Sequence, residues 1–117
     1  MFWTLSQVAL GGAIGSVLRY VTVAAFGAPW AVAAVNVVGS LAMGVLFVVL
    51  STRAQLSPLL MTGVLGGFTT FSAFSLDALK LWQSGEAVQA TLYVGGSVIL
   101  SLLAVALGAT LAKGALG

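Results

Sequence analysis

Side chains capable of chemistry are scarce in this sequence, and their spacing is what makes them informative. Asn36 interrupts an otherwise apolar stretch, AVAAVNVVGSLAMG, with Ser40 one helical turn later on the same face. An amide in hydrocarbon is costly unless it is paired. Two roles are therefore open to Asn36: a hydrogen bond to a neighbouring helix, or donation of its amide protons to an anion. Tyr93, Ser97 and Ser101 recur every four residues, which sets three hydroxyls along one side of a helix. Single hydroxyls in a membrane helix often bond back to their own backbone, but three in register make a track of neutral donors when joined by Asn36. Phe71 and Phe74 stand three apart and share a face. Such rings serve as packing, or they turn a positive edge toward an anion.

The densest group of unusual residues is GGFTTFSAF, residues 66–74. Gly66 and Gly67 loosen the backbone, while Thr69 and Thr70 carry hydroxyls that compete with the helical ladder, so the pattern predicts a broken helix. Counted from Pro58 at roughly 1.5 Å per residue, Thr70 lies about 18 Å along its span, near the middle of a hydrocarbon core about 30 Å thick. Carbonyls freed there cannot face lipid and must line a cavity or hold a hard cation such as Na⁺. The same small residues also serve close helix crossing. Arg19, several residues inside the first span, either snorkels to the interface beside Tyr20 or attracts anions in a water-filled vestibule. Asp77 and Lys80, three apart, are expected to pair, and Glu86 suits the positive end of the helix that follows it.

These residues must be positioned by elements in a membrane. Of 117 residues, 61% are hydrophobic and 5% charged, against roughly 25% charged in soluble domains. There is no cysteine and no histidine, and the formal net charge is +2. Thiol chemistry and histidine-based proton transfer or metal binding are excluded, and nucleic-acid binding has no electrostatic support. No deeply placed acid, base or metal cluster stands ready for a reaction, so an enzyme is not expected. Met1 to Gln7 lacks the basic side chain of a secretory leader, and the first helix is expected to be retained despite the small-residue run AAFGA.

Punctuation cuts the chain into four expected spans, at about 4–26, 30–50, 58–82 and 87–112, within a single transmembrane domain covering 1–117. Ser57 is the expected N-cap and Pro58 the first residue of the third helix, while Trp3, Trp30 and Trp82 fall at span ends. Arg53 and Lys113 lie on the side of the termini, and Arg19 and Lys80 toward the other, so the positive-charge bias is nil. The simplest consequence is insertion both ways up; a one-sided orientation set by something weaker than charge is the alternative. Four short helices are too few to enclose a pore and also bury their polar groups, which points to an oligomer. Opposed copies would be related by a two-fold axis in the membrane plane.

GAIGSVLRY, VNVVGSLAMG and above all GVLGGFTTFSAF resemble the Fluc/CrcB family of fluoride channels, whose patterns are close to GGxxGAxxRY, VNxxGxFxxG and GxxGGxTTFSTF. Ser16, Leu41 and Ala73 depart from those patterns, as do Ala31 and Val32 before the asparagine. The resemblance covers all four helices. It implies an all-α membrane protein, an antiparallel dual-topology homodimer with a broken third helix. It also implies two fluoride pores and a central structural Na⁺ held by the backbone carbonyls of Gly66 and Thr69. Asn36 would donate directly to fluoride, Phe71 and Phe74 would face the pore, and Tyr93, Ser97 and Ser101 would form the hydroxyl track. The implied physiology is passive fluoride export across the cytoplasmic (inner) membrane, with fluoride, lipid and a second copy as the partners. The rival class is a small dual-topology multidrug exporter, whose coupling needs an acid in the first helix; this chain has none there.

Overall fold

An apolar segment alone in hydrocarbon satisfies its backbone hydrogen bonds only as a helix, and every regular element in the computed structural model of residues Met1–Gly117 is helical. Helix α1 runs Phe2–Phe26 and α2 runs Trp30–Val49. Two short 3₁₀ turns, Leu50–Thr52 and Ala54–Leu56, lead into the third span. That span is composite: a π-helical segment at Pro58–Leu65, a helical turn α3 at Gly66–Phe68, an unwound stretch at 69–71, and α4 at Ser72–Gln83. Helix α5, Ala87–Leu116, closes the chain. Four stretches are long and apolar enough to cross a membrane: Phe2–Phe26, Trp30–Thr52, Ala54–Gln83 and Ala87–Leu116. The longest dimension of the chain, 48 Å, compares with a whole bilayer of about 40–45 Å including headgroups.

The helices do not pack in sequence order. α1 lies along the π-helical segment and α3, whereas α2 lies along α5. Glycine makes both crossings close. A β-carbon at Gly15 would run into the Val64 carbonyl, and one at Gly108 into the Leu41 carbonyl. Lipid supplies no hydrophobic drive between helices, so such backbone approach is a main source of their association. A small buried cluster, Val32, Phe74 and Tyr93, sits where α2, α4 and α5 converge.

Two local expectations are corrected. The glycine pair does not unwind: Gly66 is helical, at φ −63° and ψ −35°, and the break begins at Thr69, at φ −79° and ψ 155°. Gly67 is needed for closeness instead, because a β-carbon there would lie 2.7 Å from the Gly12 carbonyl oxygen. Ser57 does not cap the third span with its side chain; its hydroxyl points to Met61 Sδ at 3.4 Å. Pro58 does occupy the start of that segment.

Candidate functional site

Unwinding a helix inside a membrane frees polar groups that each cost about 1–3 kcal/mol if left buried and unpaired, so the site is best followed through where those groups go. The Thr70 N–H does not reach back to Gly66; it donates to Asn36 Oδ1 at 2.7 Å, and Asn36 Nδ2 donates to the Thr70 carbonyl at 2.8 Å. One side-chain amide thus closes both backbone groups of the residue at the centre of the break. Thr70 Oγ1 accepts the Ala73 N–H at 3.1 Å, capping α4, and Thr69 Oγ1 donates to the Leu65 carbonyl at 2.9 Å. Arg19 Nη1 donates to the Gly67 carbonyl at 3.0 Å and approaches the Thr69 carbonyl at 3.5 Å. The Gly66 and Thr69 carbonyls have therefore lost their ladder donors, and only the long Arg19 approach replaces either.

Beside the break lies a cavity of about 390 Å³, lined by Asn36, Gly39, Ser40, Met43, Thr69, Thr70, Phe71, Phe74, Ser97, Val98, Ser101, Leu102 and Val105. No charged side chain is among them. Asn36, Phe71, Phe74, Ser97 and Ser101, singled out from the sequence on three different spans, come together in its wall. Asn36 spends one amide proton on Thr70 and retains the second. Ser97 Oγ is buried with no hydrogen-bond partner, although Ser6, Thr22, Ser75, Thr91 and Thr110 all bond back to the carbonyl four residues earlier. Phe71 and Phe74 meet edge to face, centroids 5.5 Å apart at 62°. Phe74 is buried, but Phe71 is 76% exposed at the cavity rim.

Tyr93 is set apart from this group. It does not line the cavity; its ring stacks behind Phe74 at 5.2 Å and under the edge of Trp30 at 5.6 Å, and its hydroxyl donates to Asp77 Oδ2 at 3.4 Å. The expected Asp77–Lys80 pair does not form. Both residues border a smaller cleft below Ala28 and Pro29, but the buried Asp77 carboxylate turns inward to Tyr93. Arg19 does not line the cavity; its guanidinium turns to the carbonyls of the break. The signal for its direction was available: Gly11, Gly15 and Arg19 are spaced four apart, so Arg19 continues the face on which α1 meets the third span. The hydrogen bond to a neighbouring helix that the sequence left open for Asn36 is made, but the sequence does not name its partner, Thr70. The distance of 34 residues between them leaves no local pattern from which to read it.

A family model described as CrcB-like protein, Camphor Resistance (CrcB), matches residues 6–109. The chain belongs to the CrcB family. Curated relatives named Fluoride-specific ion channel FluC include one from Paracoccus denitrificans, 52% identical over 118 residues and covering 95% of both chains. Another, from Cereibacter sphaeroides, is 51% identical over 121 residues, covering 97% of this chain and 98% of its own. A third, from Ruegeria sp., is 49% identical over 126 residues and covers 99% of each. The matched lengths take in nearly the whole chain and not one motif alone.

Proposed function

We propose that this CrcB protein is a fluoride-selective channel, conducting passively across the inner membrane and lowering intracellular fluoride. The observation that carries the reading is the cavity beside the break, whose polar groups are neutral donors: the second amide proton of Asn36, the uncommitted hydroxyl of Ser97, and the hydroxyl of Ser101 one turn further on. Fluoride is small and strongly hydrated, so a pore selective for it must replace water with several short hydrogen bonds, yet release the ion. Neutral amides, hydroxyls and ring edges meet both demands; a lysine or arginine in the wall would hold the ion. The names of the relatives support the same reading.

The working unit in this reading is an antiparallel homodimer inserted both ways up. The exposure of Phe71 supports it, since a ring at the rim of a cavity open on one side needs a second copy to cover it. The break residues also fit a structural Na⁺. Gly66 and Thr69 offer neutral oxygens released from the ladder, the donor type a hard cation takes. Gly66 and Thr69 would hold such an ion through their backbone carbonyls, and it would supply positive charge at the break. Tyr93 acts from behind, holding Phe74 in place. The exporter alternative finds no support: α1 carries no acid, and Asp77 lies outside the cavity.

The deciding experiment is anion efflux from liposomes holding the purified protein, with fluoride and chloride followed by ion-selective electrodes. Rapid fluoride loss with negligible chloride loss is expected. Absence of fluoride flux from a folded protein with Na⁺ present would refute the reading.

A further inference from the structure

The break is braced from two sides. From α2, Asn36 closes the N–H and the carbonyl of Thr70; from α1, Arg19 reaches the carbonyls of Gly67 and Thr69. A half-buried arginine in a channel for anions invites the reading that its charge draws anions in. The geometry points elsewhere: Arg19 does not line the cavity, and its Nη1 stands 3.0 Å from Gly67 O, hydrogen-bonding distance for a charge-assisted donor. The Gly67 carbonyl has lost its helical donor to the unwinding, and no side chain besides Arg19 donates to it.

We propose that Arg19 is a positioning residue of the pore, a clamp that holds the C-terminal end of α3 so that the chain leaves it along one fixed path. That path carries Thr70 to Asn36 and Phe71 to the cavity rim. Removing the clamp leaves a half-buried acceptor unpaired, and the helix can then rewind toward Phe71 or fray, either of which displaces the ring and the Asn36–Thr70 bonds. The inference rests on the channel reading for its functional half only; the clamp itself is a statement about the break.

The test compares Arg19→Met, which removes donor and charge, with Arg19→Lys, which keeps the charge on a compact ammonium one bond shorter. Two quantities are measured on the full-length protein: amide hydrogen exchange of the peptide covering residues 68–73, and fluoride flux as a function of fluoride concentration. A clamp predicts exchange at the break faster by about tenfold or more in Arg19→Met, with α2 and α5 protected as before, because one charge-assisted hydrogen bond governs a local opening. It also predicts a lower maximal flux with an unchanged half-saturating concentration. In Arg19→Lys, exchange at the break rises about threefold with the charge intact, a shorter and rounder donor bridging the carbonyls less well.

Anion attraction predicts the reverse: wild-type exchange in both variants, normal flux in Arg19→Lys, and in Arg19→Met a defect that high fluoride overcomes. That pattern would overturn the clamp. Should Arg19→Met fail to fold, Arg19→Lys decides alone, wild-type exchange counting against the clamp. If exchange follows the clamp pattern while the wild-type protein passes no fluoride, the clamp stands and the channel reading falls.

Discussion

Ser97 offers the cleanest separation of function from stability, because its hydroxyl is buried and uses none of its hydrogen-bonding capacity within the chain. Ser97→Ala removes nothing the fold relies on, so thermal unfolding in detergent should stay within about 0.5 kcal/mol of wild type. Fluoride flux should drop by about tenfold or more if that hydroxyl replaces a water on the ion, the loss of one hydrogen bond to a charged group being about 1.5–3 kcal/mol; unchanged flux would remove Ser97 from the path. Tyr93 gives the opposite pattern. Tyr93→Phe gives up a 3.4 Å hydrogen bond to the buried Asp77 and should cost about 1–2 kcal/mol, whereas Tyr93→Ala opens a hole behind Phe74 and should cost about 3–5 kcal/mol. Both follow from unfolding curves. At this scale the sequence was legible as to which residues are polar and unusual, and less so as to their partners. Spacing of four set Tyr93, Ser97 and Ser101 on one side of α5, but α2 and α4 cover the first of them and leave the other two in the cavity wall.

At the scale of elements, the close α2–α5 crossing should tolerate no side chain at its centre. Gly108→Ala drives a methyl group into the Leu41 carbonyl and should destabilise the fold by about 1–3 kcal/mol, the usual cost of overpacking. Gly114→Ala, on the same helix with nothing within 4 Å of the added carbon, should be neutral or stabilising by about 0.5–1 kcal/mol. Equal effects of the two in thermal unfolding would show that the crossing is looser than described. The spans themselves were readable because length and apolarity are additive along the chain. The break was readable as to its neighbourhood but not its residue: glycine freedom suggested Gly66 and Gly67, while the contact of Gly67 with α1 requires a regular helix there and moves the unwinding to the threonines. The π winding of Pro58–Leu65 left no mark in the sequence pattern.

At the scale of the whole molecule, large apolar side chains cover the outer surface, and three of them, Phe71, Val98 and Leu102, also border the cavity, Phe71 being the most exposed. The homodimer proposed above makes two demands that can be checked. Reporter tags on the chain ends should be found on both sides of the membrane in comparable amounts, and a single-sided result would remove dual topology. Exchange of Na⁺ for a bulky organic cation should lower both dimer stability and fluoride flux, and indifference of both would remove the cation from the break. Another consequence follows from the order in which helices pack. The first helix finds its main companion only when the composite third span arrives, and the second only when the last one does. At roughly 5–20 residues per second during synthesis, each early helix spends seconds in lipid among strangers. A ribosome that stops short of α5 releases a chain whose second helix lacks its main partner, so the protein is assembled like an interlaced fastening, secured by the final piece threaded through it.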